Sequence, residues 1–222
     1  MERTIRVTGK GNISLSPDTI RIMVTQSSVE QTYEMAVKAS ADAKNILTEA
    51  LGTLRFKKED LKTLYFNVDS ETEGYQAKDK SWKRRLIGYR YKHRMKIEFP
   101  KESDLLGKVL AVIARSSSEP EFSIEYTVSN PEAAKNELLK RAVEDSGKKA
   151  KILSEAAGTK LGDIVSIDYS WGQVEFVSRP VDTLGPDLPN VAEDEYISSI
   201  DVDIEPDDID VSDTVTVIWS LQ

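Results

Sequence analysis

The chain has 222 residues, of which 39% are hydrophobic and 31% charged, and this composition argues against a disordered protein. It contains no cysteine and a single histidine, His93, which excludes disulfides, cysteine-based metal sites and multi-histidine metal sites within one chain. The net charge of −8 is unevenly distributed. Residues 182–213 hold twelve acidic and no basic residues, whereas residues 78–96 hold nine basic residues and one acid.

The first half of the chain alternates between strand and helix patterns. Residues 5–7 predict a short strand that ends in a turn at residues 9–11, and the period-two alternation over residues 19–29 predicts a second strand. Residues 32–51 predict a helix that ends at a left-handed Gly52. Its apolar stripe comprises Met35, Ala39, Ala43, Ile46, Leu47 and Ala50. Strands are expected at residues 61–69 and 87–99, with a loop or hairpin tip at residues 70–83 between them.

The second half continues the same alternation. A helix is predicted from a capping Ser103 to about Arg115, a strand at residues 122–128, and a helix that starts at Asn130 and stops at Gly158. The long helix carries an apolar stripe of Ala134, Leu138, Ala142, Leu153 and Ala156. Strands are expected at residues 164–177, 197–204 and 211–221.

This order, β-β-α-β repeated in outline, favours an α+β fold in which two long helices and one shorter helix cover an antiparallel-rich sheet in two layers. We expect a single domain over residues 1–222, with two subregions as an alternative.

Acidic residues near the C-terminus supply the only metal candidates, and they are weak ones. Asp201, Asp203 and Glu205 alternate as at the start of a calcium loop, but Pro206 and Ser212 stand where such a loop needs glycine and glutamate. We therefore predict no metal site.

The remaining motifs favour structural roles. His93 lies within a predicted strand, where a partly buried histidine or a cationic surface histidine is expected rather than a general base. The glycines at residues 9–11 lack the spacing of a phosphate-binding loop. No catalytic residue and no cofactor are predicted, and the overall acidity argues against nucleic acid as a partner.

Several short motifs, taken in chain order, cover almost the whole sequence. They are Ile5-Arg6-Val7-Thr8-Gly9-Lys10-Gly11, Ser16-Pro17-Asp18, Leu51-Gly52, Asp60-Leu61-Lys62-Thr63, Gly88-Tyr89, Ala157-Gly158 and Ile204-Glu205-Pro206-Asp207-Asp208-Ile209. Together they resemble the SIMPL-domain family. The resemblance implies a bacterial envelope protein of the kind that often carries a signal peptide. It also implies an immunogen or a self-assembling protein, since one member forms a large ring, and it supplies no catalytic residues. Asp207 departs from the family pattern, in which glycine is common.

These observations favour a non-enzymatic, self-associating protein, with an envelope or stress-related role as one expectation. A carboxylate-based hydrolase or a small-ligand-binding protein is the alternative. The expected contact residues are Trp82, Arg84, Arg85 and Tyr89 in the basic region and Tyr196 and Ile197 in the acidic segment. No apolar stretch is long enough to span a membrane. The chain as written is expected in the cytoplasm, or in the periplasm if a leader preceded Met1.

Overall fold

The structure is a computed structural model that describes residues 3–169, 174–179 and 204–222. Over these residues the chain forms three helices and eight strands, and the α+β prediction is confirmed. The helices are α1 (Tyr33–Gly52), α2 (Ser103–Ala114) and α3 (Pro131–Ala156). The strands are β1 (Thr4–Leu15), β2 (Thr19–Glu30), β3 (Lys62–Gln76), β4 (Trp82–Pro100), β5 (Glu121–Thr127), β6 (Leu161–Asp168), β7 (Val177–Ser178) and β8 (Ile209–Leu221).

The described residues form two compact units. The first contains residues up to 18, residues 126–178 and those from 206 onward, and the second contains residues 19–125 and the described residues of 179–205. In the first unit, α3 packs on a sheet of strand order β1-β8-β6. In the second, α1 packs on a sheet of order β3-β4-β2-β5 and also contacts α2. Each unit is therefore a helix layer on a sheet. The last two residues of β5 pair with β7 in the first unit.

Strand β1 runs without a break, so the predicted turn at residues 9–11 is wrong. It pairs with β8 in one continuous antiparallel register from Thr4↔Ser220 to Leu15↔Ile209. A Cβ on Gly9 would lie 1.9 Å from the carbonyl oxygen of Ala142 in α3. One on Gly11 would lie 2.1 Å from the carbonyl oxygen of Leu138. These glycines therefore serve close helix-to-strand approach and not a turn.

Helix α3 begins as predicted, because the Asn130 side chain accepts a hydrogen bond from the Ala133 amide at 3.0 Å and Pro131 opens the first turn. Its buried face repeats every fourth residue, through Ala134, Leu138, Ala142, Ser146, Ala150 and Ser154. The predicted stripe is therefore correct in its first half and wrong at Leu153 and Ala156, which are exposed. Ser146 and Ser154 continue the buried face toward the end of the helix. Because they are polar, the pattern of apolar residues does not indicate their burial.

The outer edge of β1 is covered by side chains of α3 at four-residue spacing. Asp145 accepts a hydrogen bond from the Lys10 amide at 2.8 Å. Arg141 and Lys149 donate to the carbonyl oxygens of Asn12 and Thr8 at 3.0 and 3.3 Å. Charged groups thus occupy backbone positions that a further strand would need, which protects this edge from pairing with another chain.

In the second unit, α1 has the predicted extent, but its buried face is rotated. Its buried residues are Ala36, Ser40, Ala43, Leu47 and Leu51. Met35 and Ile46 of the predicted stripe are exposed. Gly52 does not end the helix in a left-handed conformation, and Arg55 has that backbone instead (φ 70°). After α3, Gly158 is left-handed (φ 69°).

Other predicted boundaries also shift. Of the two expectations for residues 70–83, the exposed hairpin tip is confirmed and the loop is wrong, because β3 continues to Gln76 and β4 begins at Trp82. The long strand expected at residues 164–177 is wrong, since β6 ends at Asp168. Ser103 is the first helical residue of α2 rather than its cap. Of the strand expected at residues 197–204, residues 197–203 lie outside the described residues, and Ile204 is not in a strand.

Candidate functional site

The longest hairpin of the second unit extends beyond the sheet that carries it. Pairing between β2 and β4 stops at Glu30↔Tyr89, whereas β3 and β4 continue to pair as far as Gln76↔Trp82. A register shift follows Glu71, opposite Gly88, where the two strands leave β2. We call residues 72–86 the arm. Since an isolated two-stranded hairpin is at best marginally stable in water, the arm is a candidate for binding another surface.

Large apolar side chains on the arm face solvent. The indole of Trp82 is 76% exposed, and Tyr75 and Leu86 are exposed as well. Tyr89, at the root of the arm, is half-buried and makes an edge-to-face contact with the Tyr33 ring at 6.1 Å between centroids. The strand register places Trp82 and Leu86 on one face of the arm and Tyr75 on the other. Each face therefore exposes a large apolar side chain, which indicates an interaction surface rather than a solvated turn.

Charges on the arm are partly paired within the hairpin. Arg85 donates to Glu73 at 2.6 Å and lies over the Tyr75 ring at 5.7 Å from its centroid. Arg84 has no ion-pair partner among the described residues. The arm therefore presents Trp82 and an unpaired guanidinium close together in sequence, and both residue types are common in the centres of protein interfaces.

Strand β4 also carries a row of cations on the face opposite α1. Its alternate residues from Tyr91 to Phe99 are buried, so the intervening Arg90, Lys92, Arg94 and Lys96 point to the other face at a spacing of about 6.7 Å. We call these four residues the basic row. Its face is open to solvent at Lys92 and Arg94.

The two ends of the basic row are neutralised and its middle is not. Arg90 pairs with Glu71 at 2.8 Å, and its hydrogen bond lowers the pKa of Glu71. Lys96 pairs with Glu98 at 3.0 Å. Lys92 and Arg94 have no ion-pair partner in the part of the chain that the structure describes. Two free cations thus lie side by side on the open face.

His93 is buried between α1 and the sheet. Its Nδ1 lies 3.1 Å from the hydroxyl of Ser40, and its Nε2 lies 2.9 Å from the hydroxyl of Thr63. The Phe66 ring contacts the imidazole edge to face at 5.3 Å. Burial, and to a lesser degree the nearby charge of Lys44, lowers the pKa of His93. The hydroxyl partners satisfy a neutral imidazole. Of the two expectations for His93, the buried histidine is therefore correct and the cationic surface histidine is wrong.

This burial predicts a loss of stability in mild acid. The unfolded chain takes up a proton at His93 as the pH falls through about 6.5, whereas the folded chain does so only at lower pH. The free energy of unfolding should therefore decrease from pH 7.5 to 5.5, by at most about 1.4 kcal/mol per pH unit. Urea denaturation at a series of pH values measures it.

The matched variant is His93→Gln, which removes the only histidine. Its free energy of unfolding should be nearly constant between pH 7.5 and 5.5. Glu98, the half-buried carboxylate whose pKa is lowered, does not interfere in this window. For Glu98, burial opposes ionisation, but hydrogen bonds from Arg21 and Lys96 lower its pKa, so its contribution is lost only below pH 4.5. An equal pH dependence in the variant would contradict the assignment to His93.

The acidic candidates are not brought together by the described residues. Glu205 forms an ion pair with Lys101 at 3.0 Å, while Asp201 and Asp203 lie outside the described residues. Tyr196 and Ile197 also lie outside them. Among the residues that the structure describes, no three potential metal ligands cluster.

Two shallow depressions bear on the alternative of a carboxylate-based or ligand-binding site. One, of about 390 Å³ in the first unit, is lined by Asn12, Ser14, Arg141 and the single carboxylate Asp210, among others. The other, of about 330 Å³ in the second unit, has Ile46, Val112 and Arg115 among its lining residues and no carboxylate. Neither depression places two acids together, so the alternative gains no support from them.

The sequence predicts contact residues on the arm, Trp82, Arg84 and Arg85, but it does not predict how the sheet presents them. Composition identifies the basic residues of 78–96 as a cluster. The alternation of Arg90, Lys92, Arg94 and Lys96 along β4 is the signal that places these four on one face of the strand. The exposed edge of β3, where Leu64, Tyr65 and Phe66 lie 49, 46 and 45% exposed, was missed. Three consecutive apolar residues in a strand are the signal that could have indicated it.

The chain is similar to two periplasmic proteins of Brucella. Two relatives are named "26 kDa periplasmic immunogenic protein", from Brucella melitensis biotype 1 and Brucella abortus, at 27 and 26% identity over 163 residues. The aligned region covers 73% of this chain and 65% of each relative, slightly less than two thirds of their length. No helix among the described residues has the length and apolar character to cross a membrane. The SIMPL family model, described as "Protein of unknown function (DUF541)", matches residues 5–219, and the chain therefore belongs to the SIMPL family.

Proposed function

We propose that this protein is a non-catalytic, self-associating protein whose arm binds a second copy of the chain. The observation that carries the proposal is the arm itself, which pairs with no third strand among the described residues and exposes Trp82. An exposed hairpin of this length that carries large apolar side chains is stabilised if it packs on another surface. Association of identical chains provides such a surface in every copy.

Charge supports the proposal through complementarity. The arm and the basic row carry unpaired cations, and residues 182–203 carry seven acids without a cation. The described acids beyond them are partly engaged within the chain, since Asp208 accepts from the Ser16 hydroxyl at 2.7 Å and Asp213 from the Tyr169 hydroxyl at 2.8 Å. We infer that residues 182–203, including the predicted contacts Tyr196 and Ile197, meet the basic surface of a second copy.

A periplasmic location is the setting we propose for this assembly. Its support is that both relatives are named as periplasmic proteins, and the cytoplasmic expectation has no comparable support. Osmotic-shock fractionation of cells expressing the native gene tests it. Recovery in the periplasmic fraction is expected, and recovery with cytoplasmic markers alone would contradict it.

Reversing two arm charges should weaken association. Arg84→Glu combined with Arg85→Glu is expected to raise the dissociation constant about tenfold at low salt, because exposed ion pairs contribute about 0–1 kcal/mol each and repulsion replaces them. At 1 M salt the difference should largely disappear, as the Debye length falls to about 3 Å. Light scattering at both salt concentrations measures the mass.

The matched control reverses Lys148 and Lys151 to glutamate on the exposed side of α3, with the same change in net charge. Its mass should equal that of the wild type. A wild-type chain that is monomeric at tens of micromolar in low salt would overturn the proposed function.

Truncating the arm's tryptophan should weaken association at every salt concentration. Trp82→Ala is expected to cost about 2 kcal/mol of association free energy, because large aromatic anchors dominate interface energetics. The loss should persist at 1 M salt, unlike that of the charge reversals. Sedimentation equilibrium provides the measurement, and an unchanged dissociation constant would exclude the arm tip from the interface.

A further inference from the structure

Strand β6 forms the second edge of the first unit's sheet, and its stretch from Asp163 to Asp168 is exposed. It pairs with β8, and among the described residues no strand lies beyond it. A strand that is covered on one face alternates between buried and exposed residues, but every residue of 163–168 is exposed. Both faces of this stretch are therefore open in the part of the chain that the structure describes.

Three large apolar side chains lie in this open stretch. Ile164, Val165 and Ile167 are 43, 52 and 52% exposed. Ile164 and Ile167 pair with Trp219 and Val217 of β8, two residues that pack in the core beneath α3. Helix α3 packs mainly on β1 and β8, so it leaves the side chains of β6 half-exposed. We call Ile164, Val165 and Ile167 the β6 strip, and an exposed apolar surface of this kind marks a binding site for another surface.

The β6 strip has acids at both ends. Asp163 precedes it and Asp168 follows it, and neither carboxylate has an ion-pair partner among the described residues. No cation lies within β6, and the nearest one in the sequence is Lys160. The β6 strip therefore favours a partner that combines apolar side chains with positive charge.

The arm has this combination. Residues 72–86 hold five cations and two acids. Trp82, Arg84 and Leu86 alternate along β4 in an unbroken register with residues 72–76, so they share one face of the arm, and no acid lies on that face. Trp82 and Leu86 lie about 13 Å apart along the strand, and residues 164–167 of β6 span about 10 Å, so the two surfaces are similar in length.

Other exposed apolar surfaces fit the arm less well because they carry cations. Outside the arm and its root, consecutive large apolar residues are exposed at two further places among the described residues. Residues 64–66 follow Lys62, and residues 152–153 follow Lys151. Like charges oppose the cationic arm at both places, whereas the acids beside the β6 strip attract it.

We propose that the arm of one copy binds the β6 strip of a second copy, with the Trp82 indole on the strip and Arg84 beside Asp163 or Asp168. An indole centred on the strip places Arg84 about 6.7 Å further along, close to the level of one of these acids. This inference rests on the proposed self-association and names the surface that receives the arm. It leaves the basic row free for residues 182–203. Because the arm and the β6 strip are different surfaces, each copy gives one such contact and receives one.

Charge exchange between two variants tests the pairing of the arm with β6. Arg84→Glu with Arg85→Glu makes the arm acidic, and Asp163→Lys with Asp168→Lys makes β6 basic. Each variant alone should have a dissociation constant about tenfold above that of the wild type at low salt. In an equal mixture, the acidic arm of one variant meets the basic β6 of the other, and the second pair of surfaces is native. Light scattering should therefore give the mixture a dissociation constant within about threefold of the wild type.

The results of this exchange separate the inference from the proposed function. Weakening by the arm variant without weakening by the β6 variant would place the arm on another surface. A mixture as weak as either variant alone would exclude the pairing of the arm with β6. Both results overturn this inference and leave the proposed function standing, whereas a monomeric wild type overturns both.

Removal of the apolar contact provides a readout that does not depend on charge. Ile164→Thr, Val165→Thr and Ile167→Thr together keep branched side chains in β6 and should raise the dissociation constant at least about tenfold, also at 1 M salt. In a chain that already carries Trp82→Ala, the same three substitutions should raise it by less than about twofold, because the indole and the β6 strip form one contact.

The matched control is Leu64→Thr with Tyr65→Thr, which removes exposed apolar side chains from β3 and should leave the dissociation constant unchanged. Sedimentation equilibrium at 1 M salt measures all of these variants. Equal weakening by the control would overturn the inference. Losses from Trp82→Ala and from the β6 strip that multiply independently would overturn it too, because the indole would then pack elsewhere.

Discussion

Replacing Gly9 by alanine should destabilise the first unit by about 3 kcal/mol. The new Cβ would lie 1.9 Å from the Ala142 carbonyl oxygen and 2.5 Å from the Ser146 amide nitrogen. Both atoms belong to the backbone of α3, which cannot yield as a flexible side chain would, so the helix must move away from β1. Such a shift would also lengthen the hydrogen bond between the Lys10 amide and Asp145. Hydrogen exchange of β1 and β8 amides, together with urea denaturation, measures the effect.

Gly74→Ala is the control, because no atom lies within 4 Å of the Cβ it would add. Alanine in place of a strand glycine should leave stability unchanged or raise it by up to about 1 kcal/mol. Amides of β2 and β4 in the second unit should keep their protection in both variants. Equal stability of the Gly9 and Gly74 variants would show that α3 does not lie as close to β1 as described.

Introducing a carboxylate at Ala43 should cost about 4 kcal/mol. Ala43 lies on the buried face of α1, and its carbonyl oxygen accepts a hydrogen bond from the Gln26 side chain at 3.1 Å. Glutamate at this position must either displace the helix from the sheet or remain as an unpaired charge among apolar groups. Either result should be seen as a lower midpoint in urea denaturation followed by circular dichroism.

Ala41→Glu is the matched control, since Ala41 is exposed on the same helix two residues earlier. It makes the same chemical change and should alter stability by less than about 0.5 kcal/mol. Both variants change helix propensity and net charge in the same way. The difference between their free energies of unfolding therefore measures the effect of burial alone. Comparable losses at both positions would mean that the helix is rotated relative to the sheet.

The parts of the fold that sequence predicts well are those in which one physical pattern dominates. Strands β2 and β4 alternate strictly, and Asn130 with Pro131 marks the start of α3 by side-chain capping and a fixed backbone angle. The predictions are wrong where one residue type is common in two different structural contexts. Glycine at positions 9 and 11 is typical of turns, yet here it makes room for a helix backbone from more than a hundred residues away. No local pattern reports such a contact.

The candidate surface also has features that the sequence predicts and features that it does not. Composition alone identifies the basic cluster and its exposed Trp82, because charge and aromatic content are local properties. The unprotected edge of β3 depends on which strand ends up outermost in the sheet, and strand order is set by pairing between distant segments. The rotation of α1 has a similar origin, since Ser40 is buried by its hydrogen bond to His93 rather than by its own hydrophobicity.

The pairing of β1 with β8 has a consequence for how the protein is made. Leu15 is synthesised 194 residues before its partner Ile209, an interval of roughly 10–40 s at 5–20 residues per second on the ribosome. Because β8 is also the strand that holds β6, the nascent first unit lacks its central strand throughout that interval. Residues 19–125, by contrast, are contiguous and can complete most of their sheet while translation continues. A chaperone that shields the emerging β1 would therefore act on this chain throughout that interval.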